Sequence, residues 1–297
     1  MRIVMAGASG LLGTSLAEKF KGDRHDVVRL VRRPATGTDE SQWDPDANAV
    51  DRTLIESADV VVNTAGAPLV GNVHSKKWAR EVRDSRVRTT TVLAEAIAAV
   101  GTRPAFLVSN GIAYYGDQGG EVVTEDSPSL GNAFLTHVTR EWQAATDPAA
   151  AAGARVCVLR TSPVATKANP LYRLQLPLFK LGLGTRMGSG QQYSPLISLR
   201  DWVGAVAYLT EHPTASGPFN LCSPVTPTNA EFTKTLAAAL HRPAILVAPT
   251  PILKVAAGPM APEVLNSINL RPAALVRAGY VFRDDDVKQV LDTMLND

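Results

Sequence analysis

The chain has 297 residues, of which 45% are apolar, enough for one large α/β domain or for such a domain with a smaller C-terminal part. Its formal net charge is +2, from 30 basic and 28 acidic residues. They are mixed along the sequence, which excludes the concentrated basic face of a nucleic-acid binder. Cys157 and Cys222 stand far apart in apolar surroundings with no C-x-x-C spacing, so they are expected to be reduced core thiols, and no metal-ligand cluster is visible.

Residues 3–6 form a short apolar run and enter a glycine loop at once. This is unlike a secretory signal, and no run is long enough to span a bilayer, so a cytoplasmic location is expected, with no membrane partner. A helix over 11–21 follows, with Leu12, Leu16 and Phe20 at helical spacing. Runs at 27–31, 59–63, 105–109 and 155–159 read as strands. Residues 78–100 and 132–152 read as the helices between them. Strands alternating with helices predict βαβ units, hence a Rossmann-type, doubly wound parallel sheet covered on both faces. Beyond residue 160 prolines and glycines become frequent. Helices are expected over 201–210, 229–240 and 284–294, and a further strand over 218–221. This second part reads as smaller and mostly helical, closing over the sheet edge.

Gly7-Ala8-Ser9-Gly10-Leu11-Leu12-Gly13 links the first strand to the first helix. The first glycine permits a tight turn, the second lets the backbone approach a pyrophosphate, and the third lets helix pack on strand. The amides of Ser9, Leu11 and Leu12 and the positive end of the helix then face the phosphates. Residues 1–160 are accordingly the dinucleotide-binding domain, with some later elements returning to it. Residues 161–297 are the smaller substrate or C-terminal domain. The second strand ends in Val31-Arg32-Arg33. An NAD-specific domain usually places an acid near here to hold the ribose 2′-hydroxyl, and no acid is present. Two guanidiniums suit a 2′-phosphate, which favours NADP(H). After the third strand, Asn63-Thr64-Ala65-Gly66 makes a small-residue turn beside the loop.

The G-x-x-G-x-x-G spacing resembles the short-chain dehydrogenase/reductase superfamily in its extended, sugar-nucleotide-epimerase-like branch. Asn63-Thr64-Ala65-Gly66 is similar to the N-x-A-G segment that packs by the adenine ribose there. The resemblance runs through nearly the whole chain. It includes Trp43-Asp44-Pro45, Ala113-Tyr114-Tyr115-Gly116-Asp117, Val123-Thr124-Glu125-Asp126-Ser127-Pro128, Gly188-Ser189-Gly190-Gln191-Gln192 and Ala278-Gly279-Tyr280. In this order they resemble the atypical "epimerase family" group, whose members carry a small C-terminal domain of unknown function. The resemblance implies a Rossmann fold and NADP(H) binding, without naming a substrate.

Active members carry Tyr-x-x-x-Lys on one helical face, and the lysine lowers the tyrosine pKa for proton transfer. Here Phe134 and Val138 occupy the two positions, and no tyrosine has a lysine four residues on. The partner serine at the end of the fourth strand is displaced, with Ser109, Asn110 and Gly111 near its place, and Ser198 stands where relatives often have histidine. Substitutes nearby are Tyr114 and Tyr115, one for the core and one facing the nicotinamide, and Thr136 and His137 one turn into the helix. His137 is either an acid/base titrating near neutrality or an ordinary helix residue. Arg160 either lines the nicotinamide site or makes a structural ion pair. Residues 182–190 read as a mobile loop, on which Arg186, with Lys180, either takes a phosphate-bearing substrate or is solvated. Two functions follow as expectations: an NADP(H)-dependent oxidoreductase acting on a small carbonyl or sugar-nucleotide-like substrate, or a non-catalytic module that senses the NADPH/NADP⁺ ratio. The oligomeric state is left open.

Overall fold

A computed structural model describes residues 1–296. Strand β1 (Arg2–Ala6) leads through helix α1 (Leu11–Gly22) to β2 (Asp26–Val31) and β3 (Glu40–Gln42). Helix α2 (Arg52–Glu56), β4 (Val60–Asn63), α3 (Lys76–Ala99) and β5 (Ala105–Gly111) follow. A 3₁₀ turn at Ile112–Tyr115, β6 (Val122–Val123), α4 (Phe134–Ala144), α5 (Asp147–Ala151) and β7 (Val156–Thr161) come next. The remainder comprises β8 (Val164–Ala165), α6 (Pro170–Lys180), β9 (Thr185–Met187), β10 (Ile197–Ser198), α7 (Leu199–Glu211), β11 (Gly217–Leu221), α8 (Asn229–Ala239), β12 (Leu246–Ala248), α9 (Thr250–Ala257), α10 (Pro262–Leu265), β13 (Asn269–Leu270), α11 (Ala273–Arg277) and α12 (Val287–Asn296).

Seven strands form one parallel sheet in the order β3-β2-β1-β4-β5-β7-β11. Helices on both faces explain the unbroken apolar runs: Ile3, Val4, Met5 and Ala6 are all fully buried, as are Val61 and Val62. On one face Leu16 and Phe20 of α1 pack with Trp202 and Val206 of α7. On the other, Leu93 and Ile97 of α3 pack with Phe106 and Trp142. The strand order reverses between β1 and β4, and that switch point opens the crevice at the carboxyl ends of the strands where ligands bind in such sheets.

After residue 160 the chain returns to the sheet, because α7 packs on α1 and β11 pairs with β7. The smaller part has its own core of Tyr172, Leu176 and Phe179 with Leu236, Val290, Leu291 and Met294. Buried Asp201 pins the C-terminal segment to α7, accepting from the Tyr280 hydroxyl at 3.0 Å and from Asp284 N at 2.8 Å. Ser198 caps α7, its hydroxyl accepting from Asp201 N at 3.3 Å. Two local expectations differ. The helix over 132–152 breaks after Ala144, because Pro148 opens α5 in its first turn, where a missing N–H costs nothing. The expected loop over 182–190 holds β9, paired in parallel with β12. Cys157 and Cys222 are free and buried. Among the described residues no helix is long and apolar enough to cross a membrane.

Candidate functional site

The glycine loop is shaped by what surrounds it. Gly7 has φ +80°, and a Cβ there would lie 2.5 Å from Ala65 N and 2.6 Å from the Thr64 carbonyl carbon. A Cβ on Gly13 would lie 2.1 Å from the Gly7 oxygen. These two glycines therefore serve the packing of the β4 turn and of α1 against the loop. Gly10 is different. It is the N-cap of α1 at φ −77°, no side chain caps the helix, and a Cβ would meet only the Gly7 oxygen at 3.4 Å. Ser9 and Gly10 are exposed, Leu11 and Leu12 half-buried. The uncapped first turn of α1 thus opens onto free space, the cradle that a pyrophosphate fits.

The turn after β4 is fixed beside it. Buried Asn63 donates to the hydroxyls of Thr90 at 3.1 Å and Thr89 at 3.3 Å on α3, and its Oδ1 accepts from Ala65 N at 3.0 Å. The Thr64 hydroxyl donates to the Ala6 carbonyl at 3.0 Å. Gly66 faces Arg86, whose Cζ lies 3.3 Å from where a Cβ would stand. The Arg86 guanidinium donates to the Val82 carbonyl at 2.9 Å and stacks over Trp142 at 5.3 Å, with no carboxylate partner among the described residues. Desolvation lowers its pKa to about 10. A desolvated cation without a counter-ion, beside an open helix N-terminus, fits a ligand phosphate. The signal for it in the sequence is an arginine within the inward stripe Val82, Arg86, Thr89, Leu93 of α3.

At the end of β2 the two arginines separate. Arg32 is exposed and has no partner among the described residues. Arg33, expected beside it on a 2′-phosphate, is committed instead: its two terminal nitrogens each donate to Glu40 at 2.7 Å. The expectation that no acid stands nearby is corrected, because β3 carries Glu40 alongside β2 in parallel register with Arg29. The Arg33 guanidinium and the Thr36 amide hold the Glu40 carboxyl down from 4.5 to about 2. A depressed carboxyl stabilises the fold fully above its ordinary value and loses that contribution as pH falls toward 2. Glu40→Gln is expected to lower stability at neutral pH and to flatten acid unfolding between pH 4.5 and 2, read by circular dichroism. An unfolding curve matching the wild type's at every pH would remove the ion pair from the account.

The proton-relay positions are hydrocarbon. Phe134 and Val138 join Trp78, Val82, Ala113, Leu135 and Met260 in one apolar cluster, and the Trp78 and Phe134 rings lie 5.5 Å apart. The substitutes proposed from sequence are mostly occupied. Tyr115 is fully buried, and its hydroxyl donates to Asn220 Oδ1 at 2.6 Å and accepts from Arg160 at 2.7 Å. Desolvation raises its pKa to about 12, and these two hydrogen bonds tie the hydroxyl to β11 and β7. Arg160 also donates to Gln143 Oε1 at 3.0 Å, and it lies 3.7 Å over the half-buried Tyr114 ring. It makes no ion pair among the described residues and is buried. Asn110 ties β5 to α4 through the Thr139 carbonyl at 3.0 Å. His137 is exposed on α4, with no hydrogen bond to its ring among the described residues. Ser109, half-buried near the carboxyl end of β5, keeps a hydroxyl without a protein partner among the described residues. Tyr115→Phe should cost about 1–3 kcal/mol of stability by orphaning buried donors and acceptors and leave NADPH affinity unchanged. Thermal unfolding with a binding titration checks it, and lost binding in a protein of wild-type stability would return Tyr115 to the site.

A cavity of about 390 Å³ opens between Asp117, just beyond the 3₁₀ turn that follows β5, the Met187–Ser189 corner and the segment from Thr250 to Asn266. Its size suits a small ligand, and Gln192 and Lys254 add polar groups to its wall. Arg186 is not there. Strand residues alternate between faces, so Met187 lines this cavity while Arg186 faces a second one. Lys180 is exposed at the end of α6, where its carbonyl accepts from Arg242 at 2.8 Å. At the surface, Asp23, His25 and Glu211 gather ligand atoms within 4.8 Å, but Lys19 pairs with Asp23, and His25 meets Glu211 at 3.0 Å.

Residues 3–222 match the NAD dependent epimerase/dehydratase family, and residues 248–294 match a domain of unknown function, DUF1731. The chain is 37% identical over 290 residues to epimerase family protein MT2273 of Mycobacterium tuberculosis, covering 97% of this chain and 96% of that one. Its fold is similar to the crystal structure of human epimerase family protein SDR39U1 with NADPH, with TM-score 0.88, 28% identity and full coverage of both chains. It is also similar to a nucleoside-diphosphate sugar epimerase from Corynebacterium glutamicum, with TM-score 0.78 and 29% identity, covering 99% of this chain and 58% of that one.

Proposed function

The chain belongs to the NAD dependent epimerase/dehydratase family, and on that premise we propose that it is an NADP(H)-dependent oxidoreductase of a small carbonyl compound. The observation that carries this is a pair of guanidiniums without carboxylate partners among the described residues, Arg32 and Arg86, near a glycine loop whose Gly10 faces open space. NADPH in the structure of the human relative supports the same cofactor. The α1 amides and Arg86 hold the phosphates, and Arg32 selects the 2′-phosphate. When bound, a nicotinamide supplies or accepts a hydride. The free Ser109 hydroxyl hydrogen-bonds the substrate oxygen, the Phe134–Val138 face keeps that side dry, and the cavity beside Asp117 holds the rest of the substrate. Reduction suits this site better than epimerisation, which needs strong proton transfer in both directions. A carbonyl panel followed by NADPH absorbance tests it. Turnover that Ser109→Ala abolishes without changing NADPH affinity supports the reading, and unchanged turnover in that variant overturns the role of Ser109.

A second reading, a module that reports the NADPH/NADP⁺ ratio without chemistry, is favoured by the hydrocarbon at Phe134 and Val138. It requires NADPH and NADP⁺ to differ in affinity or in hydrogen-exchange protection. Identical behaviour of the two forms eliminates it.

A further inference from the structure

A second cavity, of about 410 Å³, lies on the other side of the β9–β12 ribbon from the substrate crevice. Its lining holds three cations (Arg186, Lys234 and Arg242), Thr233, four alanines and no acidic residue. Arg186 is built into it. Its Nε is buried with no hydrogen-bond partner, and no carboxylate pairs with its guanidinium among the described residues. Its stem lies against Gly190, where a Cβ would come 2.5 Å from Arg186 Cδ. Gly190, at φ +74°, therefore serves to seat this arginine. Arg242 donates through Nε to the Lys180 carbonyl and through a terminal nitrogen to the His241 carbonyl, and exposed Lys234 has no partner among the described residues. The nearest acid in sequence, Glu231, is taken up by the α8 capping box, accepting from Thr228 N at 2.7 Å.

Three cations gathered without a counter-ion repel one another unless an anion joins them. We propose that this cavity binds a phosphate monoester of a small organic molecule. Its phosphate pairs with Arg186, Lys234 and the Thr233 hydroxyl, and its carbon body lies on the alanine floor. A planar guanidinium with fixed donors matches phosphate oxygens. The volume falls within the range of small-molecule sites and exceeds what a bare phosphate fills. The site is separate from the dinucleotide loop and from the crevice beside Asp117.

The test uses the full chain with phenyl phosphate and inorganic phosphate as probes, against sodium chloride at matched ionic strength, following the unfolding temperature. Both phosphates are expected to raise it saturably, with phenyl phosphate half-saturating at the lower concentration. Arg186→Ala and Lys234→Glu should each weaken that response by about ten-fold, while Arg103→Ala, at an exposed cation outside both cavities, keeps it. Lys234 is exposed, so its variant remains informative if Arg186→Ala fails to fold. A response that survives both substitutions, that chloride reproduces, or that Arg103→Ala abolishes overturns the site. Equal half-saturation by the two phosphates overturns the organic body.

Discussion

Gly10→Ala is expected to fold like the wild type and to lose NADPH affinity by about ten-fold or more, whereas Gly13→Ala is expected to lose the fold's stability itself. The two glycines share one loop but meet different neighbours. At Gly10, φ is −77° and the added Cβ has only an ordinary contact at 3.4 Å, so alanine costs little beyond a weaker N-cap. The methyl group then stands between the first-turn amides and the phosphates, and losing charge-assisted hydrogen bonds costs about 1.5–3 kcal/mol. At Gly13 the Cβ would stand 2.1 Å from the Gly7 oxygen and 2.8 Å from its carbonyl carbon. Backbone cannot rotate away as a side chain can, so α1 must lift off β1, at about 1–3 kcal/mol or more. Thermal unfolding and a fluorescence titration of each variant separate the effects. Wild-type affinity in Gly10→Ala would show that no dinucleotide sits on this loop.

That contrast marks what is legible in a sequence. Spacing revealed the glycine loop because a strand, a turn and a helix start are local. The βαβ alternation revealed the parallel sheet because doubly covered strands, such as Ile3 to Ala6, carry no polar positions. Even β11, at Gly217–Leu221, was legible as a strand over 218–221. The partners of each polar group were not legible. Glu40 lies seven residues beyond Arg33, and only the parallel pairing of β2 with β3 turns it back toward that side chain. Tyr115 looked free for chemistry until Asn220, 105 residues away, closed on its hydroxyl. Arg86 escaped notice because an arginine on a helix is ordinarily solvated, and only the fold sets it against Gly66 and Trp142. The direction of Arg186 likewise depended on β9, which a glycine-rich stretch concealed.

Arg32→Ala is expected to weaken NADPH binding by about thirty-fold, or about 2 kcal/mol, and to leave NADH affinity nearly unchanged. The two nucleotides differ only in the 2′-phosphate, and Arg32 is the guanidinium at the end of β2 without a partner among the described residues. Arg33→Ala acts by another route. Its guanidinium neutralises Glu40, whose side chain is 2% exposed and whose remaining cation is Arg29 at 3.0 Å. Removing Arg33 leaves an under-compensated carboxylate near the nucleotide, so NADPH weakens through repulsion. Arg33→Ala with Glu40→Gln should then regain much of the lost affinity. Arg32→Ala with Glu40→Gln should not, because the missing group there is the phosphate's own partner. This double-mutant cycle, titrated with both nucleotides at two salt concentrations, assigns the 2′-phosphate to one arginine or to both. Recovery in both double variants would mean that the site reads net charge alone, and equal losses for NADH and NADPH in Arg32→Ala would remove the 2′-phosphate argument.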